Sequence, residues 1–253
     1  MHVVPLPALA DNYIWLMHDD LDQAIVVDPG DAAPVEAALA ERSLSLHAIL
    51  LTHHHADHIA GAAALRARHG AAVFAPHDER IGGVDHRVGA GDGVSLDRPR
   101  AHFEVLEVPG HTRSHIAYVG EGLLFCGDTL FSLGCGRLFE GTPAQMLASL
   151  QQLAALPADT QVCCGHEYTQ ANGRFAQQVD PTNAELTARC ADVASVSAQG
   201  RPSVPVPLAS ELACNPFLRT DSEALVDWSR RHAATGPVER FAVLRAAKDA
   251  FRG

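Results

Sequence analysis

Thr52-His53-His54-His55-Ala56-Asp57-His58 is the stretch that decides the fold and the chemistry of this chain. It follows directly on the apolar run 48–51, which is short and apolar and therefore predicts a buried strand that ends where the cluster begins. In an extended or turning segment, His53 and His55 project to one side and His54 to the other. Because imidazole and carboxylate are preferred ligands of divalent ions, the stretch nearly fills the ligand shell of a catalytic zinc ion.

Histidines and aspartates at other strand ends decide between a metal site and a solvated, histidine-rich loop. Apolar runs predict strands that end near residues 51, 108, 126 and 163, and each leads into a histidine or an aspartate. Three of these transitions pass through a glycine, which lets the backbone approach closely. The side chains are therefore predicted to converge on two ions. One ion would take His53, His55 and His111, the other Asp57, His58 and His166, with Asp128 as a bridge.

The composition predicts an ordinary soluble protein of the cytoplasm. A formal net charge of −11 argues against binding to nucleic-acid phosphates, and an anionic substrate would need a local basic patch. No apolar run reaches the ~18 residues of a membrane span, and the first residues lack the basic region of a secretory signal. The six cysteines include no CxxC pair, so we expect buried, reduced thiols.

Hydrophobic patterning predicts strands interspersed with helices. Thr142 should begin a helix, because Pro143 and Gln145 follow it in the positions of a capping box. A helix is also predicted at 33–40, and a second one after the histidine cluster, ending at Gly70. Residues 77–101 are polar and turn-rich. The predicted strands are 1–10, 12–17, 23–27, 48–51, 72–75, 103–108, 116–119, 123–126 and 161–164.

The chain changes character near residue 170. Asn183 or Thr182 is predicted to cap a helix that runs to about residue 198, and Asp221 to cap another that runs to His232. The proline-rich segment 201–215 is predicted to be extended. The last helix places Arg245 and Lys248 on one face, which by itself is typical of a solvated amphipathic helix.

These motifs resemble the metallo-β-lactamase superfamily and, more narrowly, the glyoxalase II or hydroxyacylglutathione hydrolase family. The superfamily resemblance rests on the His53-x-His55-x-Asp57-His58 motif with His111, Asp128 and His166. The narrower resemblance rests on further motifs spread over the chain: Asp11-Asn12-Tyr13, residues 127–131 and 134–137, Cys164-Gly165-His166-Glu167-Tyr168, Asn215-Pro216-Phe217-Leu218-Arg219, and Arg245 with Lys248-Asp249. Two residues, Ser114 and Ala62, depart from the family pattern by standing where relatives usually carry glycine. Phe139 is a further departure, since it falls where relatives can carry a tyrosine, and it would remove one hydroxyl contact.

The resemblance implies an α+β fold, an αββα metallo-β-lactamase-like sandwich with a small C-terminal helical domain. Residues 1–170 would form the metal-binding catalytic domain and 171–253 the substrate-binding domain. The implied substrate is a glutathione thioester such as S-D-lactoylglutathione, which arises in the detoxification of methylglyoxal. The residues that the resemblance assigns to substrate binding are Arg137, Phe139, Tyr168, Arg245 and Lys248. We expect a monomer with no nucleic-acid or membrane partner.

The predicted ligands suit thioester hydrolysis. The reaction needs a strong nucleophile at neutral pH, and metal binding lowers the pKa of water to about 7. Two divalent ions, with zinc favoured over iron or manganese, would hold a bridging hydroxide that attacks the carbonyl, with Asp57 and Asp128 as the catalytic carboxylates. A covalent mechanism through Cys126 or Cys135 is disfavoured, because neither has a paired histidine in a recognisable motif.

Other functions remain as alternatives. A mononuclear-iron persulfide dioxygenase, or another hydrolase such as a lactonase or β-lactamase, would use a similar scaffold. An RNA-processing nuclease would need a basic surface that the sequence does not show. A catalytically silent metal-binding protein would be expected to have lost ligands, and none of the predicted ligands is missing here.

Overall fold

The computed structural model describes residues 1–252, and they divide into two compact units. Unit 1 contains residues 1–107, 114–127 and 163–166, and unit 2 contains 108–113, 128–162 and the chain from 167 onwards. Each unit is therefore assembled from segments that are far apart in the sequence. No helix within residues 1–252 combines the length and the apolar character that are needed to cross a bilayer.

Unit 1 begins with a six-stranded sheet whose strands follow one another in chain order. These are β1 (His2–Ala8), β2 (Asn12–His18), β3 (Gln23–Val27), β4 (Ser45–Leu50), β5 (Ala72–Pro76) and β6 (His86–Val88). The first three are antiparallel, and β3 to β6 are parallel. The parallel strands need crossover connections, which contain the helices α1 (Ala32–Arg42), α2 (Ala56–Ile59) and α3 (Ala62–His69). Ala62, one of the two departures from the family pattern, is buried at the start of α3.

Both faces of this sheet are buried, which explains why its strands are almost continuously apolar. Ile14, Leu16 and Ile49 share one hydrophobic core with Leu39 and Leu65 of the helices. On the opposite face, Trp15 lies 6.4 Å from Phe125, measured between ring centroids. Phe125 belongs to an antiparallel run formed by β7 (Gly93–Asp97), β8 (Arg100–Glu107), β9 (Ile116–Gly120) and β10 (Leu123–Gly127).

Unit 2 is mainly helical. Its helices are α4 (Pro143–Ala154), α5 (Thr169–Val179), α6 (Ala184–Ala198), α7 (Leu208–Cys214), α8 (Glu223–Arg230) and α9 (Pro237–Ala250). The short strands β11 (Leu130–Phe131) and β12 (Gly134–Cys135) form a hairpin, and the first half of β13 (Gln161–Cys164) pairs with β14 (Val206–Pro207). Phe217 forms the aromatic centre, with its ring 6.2 Å from that of Phe175 and 5.9 Å from that of Phe241.

The predicted α+β organisation is confirmed, and so are the caps at Thr142 and Asn183. Three local predictions are wrong. Residues 208–214 are helical rather than extended, because the prolines of that segment lie before the helix, where they break no helical hydrogen bond. Helix α8 starts after Ser222 rather than Asp221 and ends at Arg230. The segment 77–101 contains β6 and β7, and α5 was not predicted.

A buried polar cluster in unit 2 should be a main source of its stability. Asn215 is fully buried and donates through Nδ2 to the carbonyls of Phe131 (3.0 Å) and Gly134 (2.9 Å) and to Glu211 (3.0 Å). Glu211 is also fully buried, and it accepts hydrogen bonds from Ser132 and the Leu133 amide. Burial raises the pKa of the Glu211 carboxyl, and these donors offset that effect.

We therefore predict that Asn215→Ala destabilises the protein by about 2–4 kcal/mol, because it leaves buried carbonyls and a buried carboxyl without their donor. The measurement is urea unfolding followed by circular dichroism. Gln151→Ala, at an exposed position on α4, is the control and should change the free energy of unfolding by less than about 0.5 kcal/mol. Equal stability of the two variants would contradict the prediction.

A close backbone contact in unit 1 sets the position of Asp57. A Cβ atom at Gly30 would lie 1.8 Å from the carbonyl oxygen of Asp57 and 2.4 Å from its carbonyl carbon. The loop after β3 therefore packs directly on the backbone of a predicted metal ligand, and only glycine allows this approach.

Gly30→Ala should push the Asp57 backbone away, at a cost of about 1–3 kcal/mol in stability, and lower the metal content of the purified protein. Gly82→Ala is the matched control, because a Cβ there would meet no atom within 4 Å. Thermal unfolding and elemental analysis measure both effects. A Gly30→Ala protein with the metal content and stability of the Gly82→Ala protein would refute this role of the contact.

Candidate metal centre

Three predicted ligands of unit 1 converge on one point. The Nε2 atoms of His58 and His166 lie 3.3 Å apart, and Asp57 Oδ2 lies 3.5 Å from the first and 3.4 Å from the second. His58 and His166 are buried, whereas about 40% of the Asp57 side chain is exposed. Two imidazole nitrogens and a carboxylate oxygen at these distances fit a divalent ion.

The local structure explains how residues 57 and 58 reach this point. Strand β4 ends at Leu50, and the chain turns at His55 into the single-turn helix α2, which carries Asp57 and His58. His166 follows strand β13. The structure therefore brings these three residues together, with His166 shortly after a strand and Asp57 and His58 on the helix that follows β4.

The ring of His53 is fixed through its Nδ1 atom. Nδ1 lies 3.0 Å from Thr52 Oγ1, and this hydroxyl donates its own hydrogen to Asp28 at 2.6 Å. The hydroxyl can therefore only accept from His53, so Nδ1 carries the hydrogen and Nε2 keeps its lone pair. That lone pair is what a metal ion requires.

Asp28 is a functional residue that the sequence analysis missed. It is buried, and its carboxylate also accepts from the Thr52 amide at 2.8 Å and contacts His58 Nδ1 at 3.0 Å. It lies close enough to His53 and His58 to form a metal-binding group with them, but its oxygens are engaged by these hydrogen bonds. We therefore assign it the role of orienting the two imidazoles. Its sequence signal was a carboxylate at the end of β3, the parallel neighbour of β4.

The ring of His53 lies 6.4 Å from that of His54, measured between centroids. The ring of His55 lies 4.7 Å from that of His53, between centroids. His54 instead has Nδ1 3.5 Å from Asp78, whose carboxylate also accepts from Ser114 Oγ at 2.5 Å and from Arg80 at 2.7 Å. The Arg80 guanidinium holds the pKa of Asp78 well below its usual range. Ser114, a departure from the family pattern, thus anchors Asp78.

Unit 2 contains two further predicted ligands. His111 Nε2 lies 3.4 Å from Asp128 Oδ2, and both residues are buried. His111 Nδ1 donates to the carbonyl of Arg137 at 2.9 Å, which leaves Nε2 on the side of Asp128. Gly136 is required here, because a Cβ atom would lie 1.9 Å from the carbonyl oxygen of Asp128. The segment 134–137 therefore packs against the backbone of a predicted ligand.

The residues assigned to substrate binding lie in unit 2. The side chain of Arg137 is 67% exposed, with Nε 3.7 Å from Asp249. Phe139 is 63% exposed, and its ring lies 5.2 Å from that of His111. The ring of Tyr168 lies 5.2 Å from that of Phe131.

Arg245 and Lys248 of α9 differ in their surroundings. Arg245 is buried, donates to the carbonyl of Cys135 at 2.6 Å and to Asp249 at 3.1 Å, and lies 5.2 Å from the centre of the Phe217 ring. Lys248 is partly buried and donates to the carbonyl of Ala171 at 3.3 Å.

The cations of unit 2 form a basic cluster, Arg137, Arg174, Arg245 and Lys248. Burial, and then the neighbouring charges of the three arginines, lower the pKa of Lys248 to about 8. The local basic patch predicted for an anionic substrate is therefore present. Cys135 lies beside this cluster, but burial raises the pKa of its thiol to about 11, so it is a poor nucleophile at neutral pH. All six cysteines are free thiols, as expected.

Known proteins resemble this chain over its whole length. Residues 10–166 match the model of the metallo-β-lactamase superfamily, and residues 167–251 match that of the hydroxyacylglutathione hydrolase C-terminus. A hydroxyacylglutathione hydrolase of Cupriavidus metallidurans is 51% identical, and the match covers 100% of both chains. One of Xanthomonas campestris is 52% identical, again over 100% of both.

A solved structure shows the same fold. ETHE1 from Myxococcus xanthus has a TM-score of 0.67 at 27% identity, and the match covers 99% of each chain. The resemblance stated from the sequence motifs is thus confirmed, together with the metallo-β-lactamase fold and its helical C-terminal part. This chain belongs to the metallo-β-lactamase superfamily and, within it, to the hydroxyacylglutathione hydrolase family.

Proposed function

We propose that this protein is a metal-dependent thioesterase that hydrolyses S-D-lactoylglutathione and related 2-hydroxyacylglutathiones, a step of methylglyoxal detoxification. The observation that carries the proposal is the similarity to hydroxyacylglutathione hydrolases over the full length of the chain, at 51% identity, including the C-terminal part. The match of residues 167–251 to the hydrolase C-terminus favours this activity over a persulfide dioxygenase.

Two divalent ions fit the ligands available. We assign Asp57, His58 and His166 to one ion, His53, His55 and His111 to the other, and Asp128 as the bridge. In support, the first set converges within 3.5 Å in unit 1, and His111 and Asp128 are in contact in unit 2. Another solved relative, 28% identical over 66% of this chain with a TM-score of 0.54, carries a di-iron centre. We propose zinc here, with iron or manganese as the alternatives.

The hydrolysis uses these ligands as follows. The ions, when bound, lower the pKa of water and stabilise negative charge on the carbonyl oxygen. Water attacks the carbonyl carbon, the carbon–sulfur bond breaks, and the products are D-lactate and glutathione. Asp57 and Asp128 present carboxylate oxygens that can accept a hydrogen bond from the attacking water and so orient it.

Glutathione carries two carboxylates, and the basic cluster of unit 2 supplies cations to bind them. Lys248 and the exposed Arg137 are proposed to contact a carboxylate directly, with Phe139 and Tyr168 beside them. Arg245 stays a predicted member of this clamp. Its bond to the Cys135 carbonyl also holds α9 in place, and this positions Lys248 one turn further along.

The remaining predictions complete the proposal. Residues 1–170 act as the catalytic domain and 171–253 as the substrate-binding domain, in a monomeric protein of the cytoplasm.

Hydrolysis of S-D-lactoylglutathione should disappear after treatment with a chelator and return when Zn²⁺ is added, with two ions bound per chain. His58→Ala should bind one ion fewer and lose most of its activity, because it removes a ligand. His54→Gln is the control and should still bind two ions, since His54 faces Asp78. Elemental analysis and a thioester assay provide the measurements. Full activity in metal-free protein would refute the metal dependence.

The KM for the thioester should rise as the pH increases from 7 to 9. With a pKa near 8, Lys248 is protonated below pH 8 and loses its charge, and thus its attraction for a carboxylate, above it. Lys248→Arg should remove this rise, because a guanidinium stays charged in this range. Lys248→Ala should raise KM about tenfold at pH 7, and more when combined with Arg245→Ala. An unchanged KM in Lys248→Ala would exclude a carboxylate contact.

A further inference from the structure

The turn between β1 and β2 is fixed to the chain segment that carries His166. Strands β1 and β2 pair in register along their whole length. Immediately after the turn, the amide of Tyr13 donates to the carbonyl of Gly165 at 2.8 Å, and Trp15 Nε1 donates to the carbonyl of Cys164 at 2.9 Å. The side chains of Asp11 and Asn12 are thereby held beside His166.

Asp11 accepts a hydrogen bond from the far side of the His166 ring. Its Oδ1 atom lies 2.8 Å from His166 Nδ1. An ionised carboxylate has no hydrogen to donate, so this contact requires the hydrogen on Nδ1. A neutral imidazole with its hydrogen on Nδ1 has its lone pair on Nε2, the atom that faces His58 and Asp57.

Asn12 fixes the carboxylate of Asp57. Its Nδ2 atom donates to Asp57 Oδ2 at 3.0 Å and to the Asp57 carbonyl at 3.3 Å. Oδ2 is also the oxygen that lies within 3.5 Å of the two imidazoles. Because this oxygen has two lone pairs, it can accept from Asn12 and still offer one to an ion. Asn12 is buried, whereas about 40% of the Asp57 side chain is exposed.

Neither contact is explained by the turn itself. Asp and Asn are common in turns because their side chains bond to their own backbone one or two residues on. Here the Asn12 side chain contacts a residue that lies 45 positions further along the sequence, and the Asp11 side chain contacts one that lies 155 positions further along. Two adjacent residues thus orient two ligands that come from separate segments of the chain.

We propose that Asp11 and Asn12 are positioning residues for the ion assigned to Asp57, His58 and His166. Asp11 sets the tautomer of His166, and Asn12 sets the rotamer of Asp57. This inference rests on the ligand assignment of the proposed function. Because about 42% of the Asp11 side chain is exposed, its removal should weaken metal binding without unfolding the protein.

The test measures Zn²⁺ affinity by competition with a chelator, starting from metal-free protein. Asp11→Ala should weaken one of the two sites about 10–100-fold and leave the other unchanged. Asp11→Asn should lose less, because the amide oxygen still accepts from Nδ1. Asn12→Ala should weaken the same site as Asp11→Ala. Nitrogen-15 NMR of the imidazoles should show the hydrogen of His166 on Nδ1 in the wild type, and a mixture of tautomers in metal-free Asp11→Ala.

Asp20→Ala is the matched control. Asp20 also contacts a histidine at 2.8 Å on the same sheet, namely His2, but that pair is exposed. The control should bind both ions with wild-type affinity. The proposal is overturned if folded Asp11→Ala binds both ions as tightly as the wild type, or if Asp20→Ala loses as much affinity. Should Asp11→Ala fail to fold, wild-type Zn²⁺ affinity at both sites in Asn12→Ala would overturn it instead.

The two hypotheses fail differently. The affinity measurements use no thioester. A wild-type protein that binds two Zn²⁺ ions but leaves S-D-lactoylglutathione intact would refute the proposed function and not the positioning role.

Discussion

The short distance between His58 Nε2 and His166 Nε2, 3.3 Å, is the constraint on which the rest of the structure depends. Two imidazoles that both present lone pairs at this separation repel each other unless a cation lies between them or a hydrogen is shared. Burial makes the arrangement costlier, because water has little access to separate the two lone pairs. The geometry therefore persists in the folded protein only if other contacts hold each ring from behind.

The fold supplies those contacts from neighbouring chain segments. Asp28 lies at the end of β3, next to the end of β4 in the same parallel sheet, so its carboxylate reaches both His58 and Thr52. Asp11 reaches His166 from the turn between β1 and β2. Gly30 lets the loop after β3 pack on the backbone of Asp57, since any side chain there would overlap that backbone. The register of β3 with β4, the turn between β1 and β2, and Gly30 thus all help to orient the side chains of predicted ligands.

The difference between local sequence patterns and contacts between distant residues explains what the sequence could and could not predict. The ligands were found because His53, His55, Asp57 and His58 are dense in the sequence and follow an apolar run. Asp28 and Asp11 were not assigned roles from their residue types, because a single aspartate in a turn has the same local pattern whether or not it contacts a distant histidine. Helix α7 was missed for a similar reason, since the prolines that precede it dominate the local pattern. Its contacts with the rest of unit 2 include the hydrogen bond that Glu211 accepts from Ser132. Non-local contacts decide all three cases.

The local distribution of charge matters more for an anionic substrate than the net charge of the chain. A net charge of −11 would repel an anionic substrate if the whole chain acted on it, yet the cluster of Arg137, Arg174, Arg245 and Lys248 attracts one. At physiological ionic strength, charges more than about 8 Å away are largely screened, so the cations nearest the substrate dominate. Burial, and then the charges of the three arginines, lower the pKa of Lys248. Asp249 lies beside Arg137 and Arg245 and offsets only part of this positive charge. A further carboxylate is therefore the ligand that we propose for the cluster.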